Sequence, residues 1–207
     1  MPECNRVTPL GDVVAIPLRG AWMGNRGVLH ARPDGPADHE IVRSHTTSAW
    51  ITFALSHRDW VAPRWEPGRW TALFFHDEAV ALAAGHRPCA LCRRPAFTAY
   101  RDVIREAVGE PRLTAPDLDR RLHAERRDPA TRRRRWHDEP WSGLPDGAFV
   151  IAGGQPKLVV GDCIRGWSAR GYGDPQARPR HGTVSAVTPP TSLAALRGGY
   201  PVQIASV

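Results

Sequence analysis

The stretch 70-WTALFFHDEAVALAAGHRPCALCRR-94 holds the change of period that decides the fold class. WTALFF is a short apolar run rich in aromatic side chains, the composition of a half-buried strand. HDEAVALAA (76–84) then places acids ahead of alanine-rich helix formers, and Gly85 supplies a stop. A strand therefore hands the chain to a short helix. The helix delivers it to a Cys-x-x-Cys pair, Cys89 and Cys92, with Pro88 before it and arginines on both sides.

On the C-terminal side the helical period continues. In 95-PAFTAYRDVIREAVG-109 a proline opens the segment, Phe97, Tyr100, Ile104 and Val108 recur at helical spacing, and Gly109 closes it. A third helix starts at 114-TAPD-117, where a capping threonine precedes an acid by three residues, and it runs through LDRRLHAERR to Arg127. The segment 128–143 is charged and without apolar period, which predicts a loop or mobile arm. AFVIAGGQPKLVVGD (148–162) reads as strand, turn and strand, HGTVSAVTPP (181–190) as a strand, and TSLAALRGG (191–199) as a short helix.

On the N-terminal side, VVAIPL (13–18) and AWITFAL (49–55) are β-rich runs, separated by a glycine- and proline-rich hairpin and exposed loop over 20–40. Residues 56–69, with two tryptophans, read as an ordered loop. The expected fold is α+β: short N-terminal strands, central helices around a CxxC knuckle (70–109), and a C-terminal hairpin and strands. A single compact domain over 1–207 is expected, with 128–143 as an arginine-rich arm.

Bulk composition agrees with a folded chain. Of 207 residues 42% are apolar and eight are tryptophan, enough to build a core. No run approaches the roughly twenty apolar residues that span a bilayer, and MPECNRVTPL lacks a secretory pattern, so a cytoplasmic protein with no membrane contact is expected. No protein partner is evident. In such a compartment four cysteines do not read as a disulfide frame, and the close pair reads as metal-binding, redox-active or simply packed. The formal charge is +7, carried almost wholly by arginine, with Lys157 the only lysine. A basic surplus favours a polyanionic partner, most simply DNA, with RNA as the variant.

A CxxC turn points two sulfurs at one tetrahedral zinc ion, and flanking arginines favour the thiolate. The stretch 79-AVALAAGHRPCALC-92 resembles the second half of the N-terminal zinc domain of the Ada family, which repairs methyl phosphotriesters in DNA. The likeness covers an alanine-rich helix, Gly85, His86, Arg87, Pro88, Cys89 and Cys92. That family has two further cysteines upstream, one of them the methyl acceptor, whereas no cysteine stands here between Cys4 and Cys89. The resemblance therefore implies half a Zn2+ site and an association with DNA. The segments 24-GNRGVLH-30, 122-LHAER-126 and 144-LPDGAFV-150, with the knuckle, also resemble a bacterial protein family that implies no activity.

Histidines are the candidates to complete the site: His30 at the end of a glycine-rich turn, then His123 on the third helix. His57 lies nearest the sequence separation found in Ada. Glu125, two residues after His123, is the candidate general base for a metal-bound water. On a regular helix, however, those two side chains point roughly 200° apart. A zinc deaminase would also combine HxE with PCxxC, but here 123-HAE-125 follows the cysteines and 76-HDE-78 precedes them by too few residues for the strand and connection expected there. The candidates for phosphate are Arg87, Arg93, Arg94 and the run Arg132, Arg133, Arg134 and Arg135, with Trp136 to stack on a base. Asn25, Arg26 and His86 are further candidates because they flank the proposed ligands. Three functions stay open: a zinc protein of nucleic-acid repair or processing, using metal-assisted hydrolysis or removing a modification; a non-catalytic nucleic-acid-binding module with structural zinc; and a zinc hydrolase or deaminase acting on a nucleobase-like small molecule.

Overall fold

The computed structural model describes residues 2–31, 40–63, 65–131 and 133–206. In order, the chain forms β1 (Arg6–Val7), β2 (Val13–Val14), β3 (Trp22–Asn25), β4 (Ile51–Phe53), β5 (Leu73–Phe75), α1 (Glu78–Ala83) and β6 (Arg87–Pro88). It continues with α2 (Arg94–Val108), α3 (Ala115–Arg126), β7 (His137–Pro140), β8 (Phe149–Ala152), β9 (Gln155–Val160), β10 (Cys163–Ser168), β11 (Gly171–Ala177), β12 (Thr183–Ala186) and α4 (Pro190–Arg197). The class is α+β. One mixed sheet has the order β2-β1-β5-β3-β4-β6, and an antiparallel sheet has the order β11-β10-β9-β8-β12-β7.

Helix α1 lies between them. Its six residues are all buried, and that explains their small size: alanine lets a helix be covered on every side. Asp77 caps it by accepting from Val80 N at 2.8 Å. One face packs with Leu73, Phe75, Phe149 and Leu158, while Leu82 joins the second cluster with Tyr100, Ile104, Leu118 and Leu193. The other predicted helices form close to their expected limits. Gly109 ends α2 in the left-handed conformation, φ 67°, and Thr114 with Asp117 makes the capping box of α3.

Three expectations change. The N-terminal strands are much shorter than their apolar runs: β2 covers only Val13–Val14, and β4 only Ile51–Phe53, with a bend at Leu55. The segment Cys163–Ala177, left unassigned above, forms the hairpin β10–β11. The arginine arm is ordered where it is described. Asp128 N donates to Arg133 O at 2.9 Å, Arg135 N donates to Arg126 O at 3.1 Å, and His137–Pro140 becomes an edge strand on β12. An edge strand has one neighbour, so its charged residues keep their water.

Candidate nucleic-acid interface

The parallel pair β4–β6 carries both groups of candidate residues. Arg87 N donates to Trp50 O at 3.1 Å and Cys89 N donates to Thr52 O at 2.9 Å, so His86 and Trp50 stand at one end and the cysteines with Phe53 at the other.

At the first end three guanidinium groups converge. Arg26 and Arg126 each lie 4.0 Å from the Trp50 ring, and the His86 ring is 5.2 Å from it. Arg26 Nη1 donates to Gly11 O at 2.7 Å and its Nε to His86 Nε2 at 3.2 Å. Arg126 donates to Gly85 O at 3.0 Å and to Ser48 O at 2.7 Å. Arg134 reaches back to the carbonyls of Pro9, Leu10 and Ala83. Carbonyl oxygens carry no net charge, and among the described residues no carboxylate forms an ion pair with any of the three. Arg26 Nη2, Arg126 Nε and Arg134 Nε are buried without a hydrogen-bond partner. Burial and then the neighbouring Arg134 and Arg126 charges hold Arg26 well below the usual arginine range. Burial pulls Arg126 down to about 9 and Arg134 to about 10. Such a cluster is unfavourable by itself and becomes favourable when an anion enters.

The cluster opens on a furrow of about 550 Å³ lined by His45, Ser48, Arg120, His123, Arg127 and Arg135, with Asp128 as the acidic member. The His45 ring lies 5.4 Å from that of His123. Burial, then Arg127, His123 and Arg126, lower His45 to about 4. His123 is also lowered, by burial and then Arg126, whose Nη2 donates to His123 Nδ1 at 3.0 Å.

The sequence candidates divide. Arg134 and Arg26 belong to the cluster and Arg135 to the furrow. Arg133 and Arg94 are exposed, as is the ring of Trp136, while Arg132 lies outside the described residues. Arg87 and Arg93 sit elsewhere than a phosphate contact requires. Both are buried, Arg87 in a two-bond pair with Asp119 at 2.8 Å and Arg93 on Glu78 at 2.6 Å. They brace the fold, and their charges are already matched. Asn25 Oδ1 accepts from Gly27 N at 3.0 Å, so that turn closes on itself. His86 accepts from Arg26 and packs edge-on to Phe75 at 4.6 Å.

The proposed zinc ligands are not brought together as a set. Cys89 and Cys92 share a pocket of about 330 Å³ with Phe53, His57, Trp60, Trp70 and Leu91. Leu91 N donates to Cys89 Sγ at 3.3 Å. His30 instead bonds Thr71 Oγ1 at 2.7 Å and Glu66 O at 3.2 Å, and His123 faces the furrow. Among the described residues no group of three or more His, Cys, Asp or Glu is placed to hold a metal. Burial raises the Cys92 thiol. Of the arginines expected to favour its thiolate, Arg87 and Arg93 are paired with Asp119 and Glu78, and Arg94 is exposed. A two-residue strand, β6, precedes the pair and α2 begins soon after it, where a helix end had been expected directly before the cysteines. Glu125 is turned away from His123. Its oxygens accept from Thr191 N at 2.9 Å and Thr191 Oγ1 at 2.6 Å, closing the start of α4.

Sequence reasoning missed Trp50, His45 and Arg126. Trp50 stood among tryptophans assigned to packing, and Arg126 was one helix arginine among several. The available signal was 122-LHAER-126 beside 24-GNRGVLH-30, segments far apart in the chain that meet at Trp50. No family model matches the chain, and no curated protein or solved structure does so either. Among the described residues no helix is long and apolar enough to cross a membrane.

Proposed function

We propose that this protein binds single-stranded nucleic acid, DNA in the first instance, along the furrow between α3 and the 44–50 segment. The observation that carries the reading is the convergence of Arg26 and Arg126 on Trp50, with Arg134 lining the same pocket, where the partners of all three are carbonyl oxygens and imidazole nitrogens and none is a carboxylate. Guanidinium groups match phosphate oxygens, and the exposed Trp136 offers a face for a base. The furrow's net positive lining supports the same polymer, and the likeness of 79–92 to the Ada zinc domain points to DNA. Binding is favoured over metal-assisted hydrolysis, since the proposed base, Glu125, is engaged with Thr191.

Zinc remains part of the proposal in a reduced form. Cys89 and Cys92 fit half of a tetrahedral site, and His57, on the wall of the same pocket, is the imidazole available to them. Bound there, zinc would hold the knuckle between β6 and α2 and neutralise two thiolates.

The test is fluorescence anisotropy with a labelled single-stranded oligonucleotide. Six arginines, at 26, 120, 126, 127, 134 and 135, line the furrow and the cluster beside it. At about −0.7 per neutralised phosphate, six contacts give a log–log salt slope of about −4.2, or a loss of about 300-fold between roughly 50 and 200 mM salt. A flat salt response, or equal affinity in Arg135→Ala, would sink the reading.

A further inference from the structure

The arginine cluster encloses a pocket of its own, distinct in size and chemistry from the furrow that leads to it. We infer that this pocket receives the terminal phosphomonoester of a nucleic-acid strand; the inference rests on the furrow reading and specifies which part of the strand enters first. The pocket holds about 180 Å³ and is lined by Leu10, Gly11, Asp12, Arg26, Ser44, Trp50, Arg126, Arg127 and Arg134. That is ample room for a phosphate group.

Charge selects the ligand. Four arginines and the exposed Asp12 line the pocket. A phosphodiester brings one negative charge, whereas a phosphomonoester brings close to two near neutral pH and three terminal oxygens to accept from forked donors. Arg26 is 1% exposed with Nη2 unpartnered, and Arg126 is 2% exposed with Nε unpartnered, so each keeps donor capacity beside the pocket. Ser44, on the wall, shares a hydrogen bond of 2.9 Å with His45 Nδ1 and accepts from Arg127 Nη1 at 3.3 Å.

Charge also argues that the strand ends here. One side of the pocket shares Arg127 with the furrow. The other side shares Gly11, Asp12, Arg26 and Ser44 with a neighbouring hollow whose charged lining is Arg26 and Arg43 against Asp12 and Glu40. The positive surplus vanishes there, so a polyanion gains nothing by continuing past the cluster. The carbonyl bonds of the three arginines hold the forks in position beforehand, which limits the ordering required on binding.

The experiment compares three otherwise identical single-stranded DNAs on the full chain: one with a 5′-phosphate, one with a 3′-phosphate, one with hydroxyls at both ends. One phosphorylated form is expected to bind at least about tenfold more tightly than the hydroxyl form, the scale of one or two charge-assisted hydrogen bonds. Arg134→Gln should abolish the difference while the hydroxyl form still binds. Should that variant fail to fold, Arg134→Lys keeps the charge, loses the fork, and should still shrink the preference. Equal binding of all three DNAs by the wild type overturns end recognition and leaves the furrow reading standing. Absence of binding by any of them overturns the furrow reading, and the inference with it.

Discussion

Arg93→Met should destabilise the protein strongly and leave oligonucleotide binding intact. Arg93 Nη2 lies 2.6 Å from Glu78 Oε1, with side-chain exposures of 6% and 3%. Glu78 Oε1 also accepts from Tyr200 OH at 2.6 Å, and Oε2 accepts from Gln203 N at 3.1 Å. The guanidinium carbon stands 3.8 Å from the Trp22 ring centre. Removing the cation leaves a buried carboxylate with two neutral donors, and breaking a buried pair from one side costs about 3–5 kcal/mol. For a chain of this size each kcal/mol moves Tm by about 2–4 °C, so the expected fall is about 6–20 °C. The double variant Arg93→Met with Glu78→Gln removes both charges and should recover much of the loss, since an unpaired buried charge is the larger part of the cost. Circular-dichroism melts give the stability, and anisotropy well below the melting temperature gives the affinity. A variant that melts like wild type but loses oligonucleotide binding would refute this: Arg93 would then be a phosphate contact, as its sequence neighbourhood first suggested.

Glu125→Ala should cost about 1 kcal/mol, the scale of a lost helix cap, because Thr191 N and Oγ1 lose their acceptor; denaturant unfolding would show it, and oligonucleotide affinity should not change. Gly85→Ala should be worse. Gly85 has φ +85°, and a Cβ there would stand 2.7 Å from Arg126 Cδ, so both backbone strain of about 1 kcal/mol or more and displacement of Arg126 should follow, read as a lower Tm together with weaker binding. Oligonucleotide affinity should rise as pH falls from about 6.5. His45 is held down to about 4 in the free protein by burial, Arg127, His123 and Arg126, and a bound polyanion raises it, so binding takes up a proton. In the absence of ligand the same depression works against the fold. The unfolded chain binds the proton first, and stability is lost as pH falls from about 6.5 towards 4. His45→Gln should blunt both trends. Purified protein should contain zinc that Cys89→Ser or Cys92→Ser releases and His30→Ala does not, since His30 is bonded to Thr71 and Glu66; zinc-free wild-type protein would remove the metal from the proposal.

The amino-acid sequence by itself determined where the helices begin and end. Capping and stop residues act within one turn, so Asp77, Thr114 with Asp117, and Gly109 marked helix limits that the fold keeps. The spacing of Cys89 and Cys92 likewise placed two sulfurs in one pocket. Tertiary structure decided what each charge does. Arg87 and Arg93 flank the cysteines in sequence, yet Asp119 and Glu78 come from other elements to neutralise them. Arg26, Arg126 and Arg134 come from three distant segments and line one pocket with Trp50 only because the fold brings those segments together. A guanidinium has the same charge everywhere along a chain. Whether it braces a fold or waits for a phosphate depends on which oxygens lie within about 3 Å of it, and those oxygens are supplied by residues far away in sequence.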